Sequence, residues 1–241
     1  MPPRFFVAPP LHAGESCVLP PGPTRHVQVL RLQPGDAITL FDGKGGEWQA
    51  RIGQIGRSVV SVQIVEHLAV DRELAFAVTI AMGMPANERM DSVVEKATEL
   101  GVAVIQPLLC ERSVLRLAGE RADKKVAHWQ SVAAAASEQC GRTRVPTVQP
   151  VRALSAWLAG LAPEATGRRH VLSLRAGRHG VAPGQPGEPL LFLSGPEGGL
   201  SETEEQAALR AGFQPLSLGP RVLRADTAPL AALAALALSP R

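Results

Sequence analysis

A chain of 241 residues, of which 45% are hydrophobic and 20% are charged, is long enough to bury the cores of two modest domains. It has no run of about 18 apolar residues, and its start is short and interrupted by proline, so we expect neither a membrane-spanning helix nor a secretory signal. The three cysteines are far apart, which excludes a CxxC zinc site and favours reduced thiols and a cytoplasmic location.

The formal net charge of +3 is distributed unevenly along the chain. Residues 111–180 hold twelve Lys or Arg against five Asp or Glu, and arginine outnumbers lysine by 21 to 4 overall. Because a guanidinium group binds phosphate through two parallel hydrogen bonds, this segment is compatible with a nucleic-acid partner, and equally with a solvated surface. The lack of Tyr and the presence of only six Phe argue against an aromatic platform for single strands.

Residues 1–70 predict a small β-barrel domain, because short alternating segments are separated by turn residues. Asp42-Gly43 and Gly45-Gly46 predict a hairpin connection, and a short helix over Thr24–Leu32 is capped by Thr24. The predicted strands are Phe5–Val7, Cys17–Leu19, Ala37–Phe41, Glu47–Ile52 and Val59–Val65.

Residues 74–241 predict a second domain of the α/β class, because strands and helices alternate. Continuous apolar strands are typical of a parallel sheet that is covered by helices on both faces. The predicted strands are Leu74–Met82, Val102–Leu109 and His170–Leu174. The predicted helices are Met90–Leu100, Arg121–Gln139, Ala153–Leu158 and Pro229–Leu238. The Gly- and Pro-rich stretch Gly177–Pro189 predicts an exposed, mobile loop.

Two strand–loop–helix units follow each other near the C-terminal end of the chain. In the first, an apolar run leads into the glycine loop Gly195–Gly199, and Ser201 with Glu204 forms an S-x-x-E capping box that starts a helix. In the second, a shorter apolar run leads into Leu218–Arg224 before the last helix. Since parallel strands end at one edge of a sheet, both loops should face one ligand site, which indicates a nucleotide-like cofactor.

Each loop also has an interpretation without function. The first matches neither the dinucleotide motif G-x-G-x-x-G nor a Walker phosphate loop, and its glycines could serve a tight turn alone. Two adjacent glycines and the carboxylate of Glu197 favour a ligand site. In the second loop, Arg221 and Arg224 could meet phosphate or an anionic base, or could be solvated beside a helix cap at Asp226 or Thr227.

The remaining charged residues give weaker indications. Arg89, Asp91, Glu95, Lys96 and Glu99 lie on one predicted helix and are typical of a solvated face. The six histidines are scattered without metal-ligand spacing, so no metal site is predicted.

Several segments, spread in order over nearly the whole chain, together resemble one enzyme family. They are Arg4-Phe5-Phe6-Val7, His26 with Val29-Leu30-Arg31, Arg89-Met90-Asp91, Lys96 to Val102, Glu111-Arg112-Ser113, Glu138 to Arg142 with Pro146, Gly195 to Ser201, and Leu218 to Arg224. On these residues the chain resembles the ribosomal RNA small subunit methyltransferase E family, which belongs to the SPOUT class of enzymes and uses S-adenosylmethionine.

The resemblance implies methylation of N3 of a uridine in the 16S rRNA of the small ribosomal subunit by a homodimer. It also implies a PUA-like N-terminal barrel that contacts RNA, and a SPOUT-type domain with a deep C-terminal trefoil knot. The implied cofactor contacts are Leu172, Ser173, Leu193, Gly195, Pro196, Glu197, Gly198, Gly199, Leu216, Leu218, Gly219, Leu223 and Arg224. Family members often have His-Pro and an acidic residue where this chain has Ser173-Leu174-Arg175, so its first cofactor loop departs from the pattern.

The implied chemistry requires that the proton on uracil N3 be removed or that the resulting anion be stabilised. A guanidinium group beside the base favours the anion, which suits Arg224, whereas Glu197 could act as a general base or contact the cofactor. Of these two we favour Arg224 as the catalytic residue. The arginines predicted to contact RNA phosphates are Arg4, Arg25, Arg31, Arg112, Arg116, Arg142 and Arg144.

Two other functions are open at the level of the sequence, besides a nucleotide-binding enzyme of another type, which the lack of a phosphate-loop lysine motif disfavours. The first is a SPOUT methyltransferase that acts on another RNA position, such as a ribose 2′-hydroxyl, or on tRNA. The second is a PUA-like RNA-binding protein without catalytic activity, against which the intact glycine loops and Arg224 argue.

Overall fold

The computed structural model describes residues 2–86, 89–162, 167–174, 180–181 and 185–238. The chain divides into two compact units, one of residues 1–73 with 134–145 and the other of residues 74–133 with 146–241. The sequence predicts a division between residues 70 and 74 but does not indicate that a later segment returns to the first unit. Outside the described residues lie Arg175 and, from the predicted Gly177–Pro189 loop, residues 177–179 and 182–184.

The first unit is a five-stranded sheet with a short helix. Its elements are β1 (Arg4–Phe6), β2 (Ser16–Val18), α1 (Pro21–Val29), β3 (Ala37–Phe41), β4 (Glu47–Ile55) and β5 (Val60–Leu68). The strand order is β1-β3-β4-β5-β2, with β1 parallel to β3 and the other pairs antiparallel. Phe5, Val27, Leu40, Ile52 and Val62 share one hydrophobic core, so strands and helix surround a common interior.

The helix of this unit begins earlier than predicted. It starts at Pro21 after the N-cap residue Pro20, and Thr24 lies inside it, where the Thr24 hydroxyl donates to the Leu19 carbonyl at 3.0 Å. The prediction of Thr24 as the cap is therefore wrong. Proline suits the first helical position because an N–H there has no partner within the helix and the φ of proline is already helical.

Residues 134–145 are the end of the long helix and the loop that follows it, and they belong to the first unit. The Glu138 carboxylate accepts the backbone N–H of Phe6 at 3.0 Å, and the N–H of Gly45 donates to the Thr143 carbonyl at 3.1 Å. These partners are about a hundred or more residues apart in the sequence, which is why no local pattern predicts them.

Two buried arginines form ion pairs within this unit. The Arg142 side chain is 6% exposed and binds the Glu73 carboxylate through Nη2 and through Nε, which lies 3.1 Å from each oxygen. Arg4 binds Glu47, and its guanidinium carbon lies 5.0 Å from the centre of the Phe41 ring. Because both guanidinium groups pair with carboxylates of their own unit, the structure does not favour Arg4 and Arg142 as contacts of RNA phosphates.

The second unit is a parallel sheet covered by helices. Its elements are β6 (Val78–Gly83), α2 (Arg89–Glu99), β7 (Val104–Leu109), the part of α3 (Gly119–Cys140) up to residue 133, β8 (Thr147–Val148), β9 (Arg152–Ala153), α4 (Leu154–Ala159), β10 (Arg168–Leu172), β11 (Leu190–Ser194), α5 (Glu202–Arg210), β12 (Gln214–Leu216) and α6 (Thr227–Ala237). The strand order is β12-β10-β11-β6-β7-β8, with every pair parallel, and β9 also pairs with β7. The predicted α/β fold with a parallel sheet is confirmed.

Helices lie on both faces of this sheet. On one face Ala81 and Leu193 pack with Trp157 of α4. The adjacent residues Ile80 and Phe192 point to the opposite face, because side chains alternate along a strand. On that side α6 contacts β6, β11 and α2.

Several element boundaries differ from the sequence prediction by a few residues, and two short strands are not predicted at all. β6 begins at Val78 and not at Leu74, because Leu74 lies beside Gly101 at the end of α2 and not in the sheet. The strands β8 and β9 have two residues each, too few for a periodic pattern to predict them. The trefoil knot stays a prediction from the family resemblance. In the described parts of the chain, no helix combines the length and the apolar character needed to cross a membrane.

We expect Arg142→Ala to lower the free energy of unfolding by about 3 kcal/mol, because it leaves the partly buried Glu73 carboxylate, whose side chain is 15% exposed, without its partner. Chemical denaturation measures this loss. Arg144→Ala is the matched control, since Arg144 is an exposed arginine two positions away and its removal should change stability by about 0.5 kcal/mol or less. Equal effects of the two substitutions would contradict the structural role of Arg142.

Candidate active site

A cavity of about 560 Å³ lies at the carboxyl edge of the parallel sheet. Its walls include the loops that follow β10, β11 and β12, which are neighbours in the strand order. Because these strands are parallel, their loops leave the sheet at the same edge. The volume falls within the range of about 300–1,000 Å³ that is typical of small-molecule sites. The predicted convergence of the glycine loops is confirmed.

Most residues predicted to bind the cofactor line this cavity. They are Leu172, Ser173, Gly195, Pro196, Glu197, Gly199, Leu216, Leu218, Gly219, Leu223 and Arg224. The predicted capping box is also present: the Glu204 N–H donates to the Ser201 hydroxyl at 3.2 Å, and the Glu204 carboxylate accepts the Ser201 N–H at 2.9 Å. The box fixes where the glycine loop ends and α5 begins.

Two predicted cofactor residues lie elsewhere. Leu193 is fully buried in the hydrophobic core that includes α4 and α5. Gly198 is not part of the cavity wall, and a Cβ atom placed on it would meet the Arg112 side chain at 3.0 Å. The geometry therefore does not support Leu193 and Gly198 as direct contacts of a ligand in this cavity.

The carboxylate of Glu197 connects two loops at the cavity wall. Its Oε1 accepts the backbone N–H of Ala86 at 2.9 Å and lies 3.5 Å from Nη1 of Arg89. Ala86 follows β6, the strand next to β11, and Arg89 begins α2. Because this oxygen is already engaged by two donors, Glu197 is better placed to fix the glycine loop than to take a proton from a substrate.

Arg89 is a cavity residue that the sequence pattern does not identify. Charge spacing predicts only a solvated helix face for it, since the partner that brings it to the site is Glu197, 108 positions away. The one available indication is the Arg89-Met90-Asp91 segment, which is among the residues of the family resemblance.

Asp91 connects the first turn of α2 to α3. Its carboxylate accepts the Trp129 indole N–H at 3.0 Å and lies 2.6 Å from Nε2 of His128, and Trp129 is fully buried. Burial opposes ionisation, but the hydrogen bonds from His128 and Trp129 and the charges of His128 and Lys125 lower the pKa of Asp91 below its ordinary value. This contact sets the position from which Arg89 reaches Glu197.

Arg112 supports the glycine loop from outside the cavity. Its Nη1 donates to the carbonyl oxygens of Gly198 at 2.9 Å and of Leu200 at 3.4 Å. Beside it, the N–H of Glu111 donates to the Glu204 carboxylate at 2.8 Å, which joins the loop after β7 to the start of α5. The structure thus shows Arg112 supporting the glycine loop. Its predicted contact with RNA stays a prediction.

The chemistry of this edge does not depend on a thiolate. Burial and the nearby Glu204 carboxylate raise the pKa of the Cys110 thiol, at the end of β7, to about 12, so Cys110 is protonated near neutral pH. Within the described ranges, no three His, Cys, Asp or Glu side chains are grouped closely enough to hold a metal ion.

Comparisons with known proteins identify the family of this chain. Residues 72–237 match the family model of the RNA methyltransferase domain, and residues 24–65 match that of the RNA methyltransferase PUA domain. The ribosomal RNA small subunit methyltransferase E of Synechocystis sp. is 34% identical over 235 residues, which cover 96% of this chain and 76% of that protein. The chain belongs to the ribosomal RNA small subunit methyltransferase E family. The Bacillus subtilis member is 33% identical over 218 residues, covering 87% of this chain and 84% of that one.

Solved structures agree with this family in fold. The ribosomal RNA small subunit methyltransferase E from Neisseria gonorrhoeae, crystallised with S-adenosyl methionine, matches with a TM-score of 0.88 and 38% identity over 98% of this chain and 96% of that one. A putative methyltransferase from Legionella pneumophila, solved in complex with the cofactor SAM, has a TM-score of 0.88 and 33% identity, covering 97% and 96% of the two chains.

The remaining predicted RNA contacts of this family member differ in their surroundings. Arg25, Arg31 and Arg144 are exposed, and the first two lie within the matched PUA domain. Arg116 is exposed as well and donates through Nη2 to the Glu111 carbonyl at 3.2 Å. Contact of these four with RNA stays a prediction.

We expect Asp91→Asn to lower the free energy of unfolding at pH 7, because the pKa of Asp91 in the folded protein lies below its ordinary value. Such a carboxylate stabilises the fold fully above the unfolded-state pKa of about 3.9, and this stabilisation is lost as the pH falls through the folded-state pKa. Denaturation curves should therefore show a smaller difference between wild type and variant at about pH 3 than at about pH 7.

Asp123→Asn is the control for Asp91→Asn, because Asp123 is an exposed carboxylate on α3. It should have little effect at either pH. A stability difference for Asp91→Asn that is as large in acid as at neutral pH would exclude the charged contact as its cause.

Proposed function

We propose that this chain uses S-adenosylmethionine to methylate N3 of a uridine in the 16S rRNA of the small ribosomal subunit. The observation that carries the proposal is the cavity at the sheet edge, which brings together most of the predicted cofactor residues in a fold that matches relatives solved with this cofactor. The choice of N3 and of uridine rests on the family resemblance.

The residues of the cavity fit the proposed cofactor. Leu172, Leu216, Leu218 and Leu223 provide apolar walls suited to an adenine ring. The Ser194 hydroxyl, at the end of β11 beside the cavity, is buried and has no hydrogen-bond partner among the described residues. Buried polar groups of folded proteins are nearly always paired, so an uncommitted hydroxyl here indicates that a ligand completes the site.

When bound, S-adenosylmethionine supplies a methyl group on a positively charged sulfur. The chain itself has to favour the uracil anion at N3. Arg224 lies in the loop after β12, is exposed and lines the cavity, so its guanidinium group can stabilise negative charge on a base that enters from solvent. The N3 proton passes to solvent water at the cavity mouth.

Glu197 has a positioning role in this proposal. Its contacts with Ala86 and Arg89 fix the glycine loop against the neighbouring strand's loop, so the cavity wall does not have to be ordered when ligands bind. A preformed wall lowers the entropic cost of bringing cofactor and base together.

The proposed RNA partner is consistent with the matched PUA domain, in which exposed Arg25 and Arg31 are candidate phosphate contacts. The target uridine has to leave its stack to reach a cavity at the sheet edge. From the same resemblance we propose a homodimer, and from the few, widely spaced cysteines a cytoplasmic location.

We expect Arg224→Ala to lower the rate of methyl transfer by about 100-fold or more, because removing a group that stabilises developing charge costs about that much in enzymes. Cofactor affinity should change little, since the guanidinium acts on the base. The measurement is single-turnover transfer of a labelled methyl group to small subunits that lack the modification. Arg210→Ala, which removes an exposed arginine at the end of α5, controls for net charge. Unchanged turnover by Arg224→Ala would remove this residue from the mechanism.

The function itself is tested by isothermal titration with S-adenosylmethionine, with NAD and ATP as controls, followed by nucleoside analysis of the methylated RNA. Binding of S-adenosylmethionine alone and formation of N3-methyluridine are expected. A 2′-O-methylated nucleoside or a methylated tRNA would assign a different target to the enzyme. Failure of a folded sample to bind S-adenosylmethionine would indicate an RNA-binding protein without catalytic activity.

A further inference from the structure

Two carboxylates line the cavity in the described part of the chain, and they differ in their partners. Glu197 is engaged by Ala86 and Arg89, as described above. Glu205, in the first turn of α5, accepts the Ser173 hydroxyl on Oε1 at 2.6 Å. Its Oε2 has no hydrogen-bond partner among the described residues. Oε2 of Glu197 is also without such a partner, but Glu197 is paired with the Arg89 guanidinium, whereas Glu205 has no ion-pair partner among the described residues. Glu205 is therefore the lining carboxylate whose charge is not already paired.

The position of this carboxylate is fixed from the sheet. Ser173 directly follows β10, and its backbone N–H donates to the Leu216 carbonyl of β12 at 3.0 Å. The short bond from the Ser173 hydroxyl then holds the Glu205 side chain against the loop after β10. A side chain with restricted rotation loses less entropy when it binds a ligand than a free one does.

The contact between Ser173 and Glu205 is not required to cap α5. Ser201 and Glu204 already satisfy the start of this helix through both hydrogen bonds of a capping box. Glu202 contributes a further acidic side chain to the same turn, where it interacts favourably with the helix dipole. The capping of α5 therefore does not explain why Glu205 is directed to the cavity.

The charges around the cavity indicate which part of the cofactor meets Glu205. The lining guanidinium groups belong to Arg89, Arg221 and Arg224, on the start of α2 and the loop after β12. At the amino-acid end of S-adenosylmethionine, the carboxylate is attracted by these guanidinium groups and repelled by Glu205, whereas the ammonium is attracted by Glu205. A probe without the amino-acid end therefore separates a contact with that ammonium from a contact with the ribose. The ribose is neutral and offers two hydroxyl donors, and carboxylates bind ribose hydroxyls in other nucleotide sites.

We infer that Glu205 is a cofactor-binding residue whose carboxylate, positioned by Ser173, accepts hydrogen bonds from the ribose hydroxyls of S-adenosylmethionine. The inference rests on the proposed function and adds to it a contact that lies outside the two glycine loops. Ser173 and Glu205 both lie outside the two glycine loops. Apart from its place in a helical turn, no feature of the sequence marks Glu205 as a contact of the cofactor.

The test compares Glu205→Gln with Glu202→Gln by isothermal titration of the full chain. Both substitutions remove one negative charge from the same turn of α5, but Glu202 is exposed and lies outside the cavity wall. The probes are S-adenosylmethionine and 5′-methylthioadenosine, which keeps the adenine and ribose but lacks the amino-acid end. Thermal unfolding without ligand verifies that each variant is folded.

We expect Glu205→Gln to weaken the binding of both probes by about tenfold or more, because hydrogen bonds to a charged acceptor are worth that much or more. Glu202→Gln should stay within about twofold of wild type. Ser173→Ala should weaken binding less, and adding it to Glu205→Gln should cause little further loss, since Ser173 acts through Glu205.

Two results would overturn the inference. If 5′-methylthioadenosine binds Glu205→Gln as tightly as wild type, the carboxylate does not hold the ribose, whatever happens to S-adenosylmethionine. If Glu202→Gln loses as much affinity as Glu205→Gln, the effect is general electrostatics of the helix start. A folded wild-type chain that binds neither probe would contradict the proposed function itself, which is a different outcome from either of these.

Discussion

The parallel pairing of β10 between β11 and β12 is the constraint on which the site depends. Parallel strands place their carboxyl ends at one edge, so three loops from separate parts of the sequence meet there. The core beneath them, in which Val171 and Leu193 pack with the helices α4 and α5, keeps these strands in register. A shift in this pairing would separate the cavity walls even if every local turn were retained.

Above the sheet, the loops are connected mainly by side chains bound to backbone groups of other loops. Glu197 accepts the Ala86 N–H, Glu204 accepts the Glu111 N–H, and Arg112 donates to the Gly198 carbonyl. Each contact joins segments that follow different strands, either two loops or a loop and the start of α5. Because these groups are satisfied within the protein, the cavity has a defined wall before any ligand enters.

The arginine-rich composition has more than one physical cause. Arg4 and Arg142 are buried in ion pairs with Glu47 and Glu73, and Arg112 supports the glycine loop. Exposed arginines such as Arg25 and Arg31 remain as candidates for contact with RNA. A positive net charge is compatible with a nucleic-acid partner. It does not distinguish arginines that face solvent from those that stabilise the fold.

The sequence by itself determined the elements whose cause is local: the alternation of strands and helices, the capping box at Ser201 and Glu204, and the two glycine loops. These depend on residues a few positions apart, so a local pattern contains them. The family resemblance, which rests on segments in a fixed order, supplied the cofactor and substrate.

The tertiary structure decided which side chains meet. Arg142 finds Glu73, Glu197 finds Arg89 and Ser173 finds Glu205 across 69, 108 and 32 positions. It also placed Leu193, at the end of β11, in the core and Gly198 of the following loop against Arg112, although the sequence predicts both as cofactor contacts. Such contacts depend on the order of strands in the sheet, and that order is set by the packing of the whole domain, which no short segment encodes.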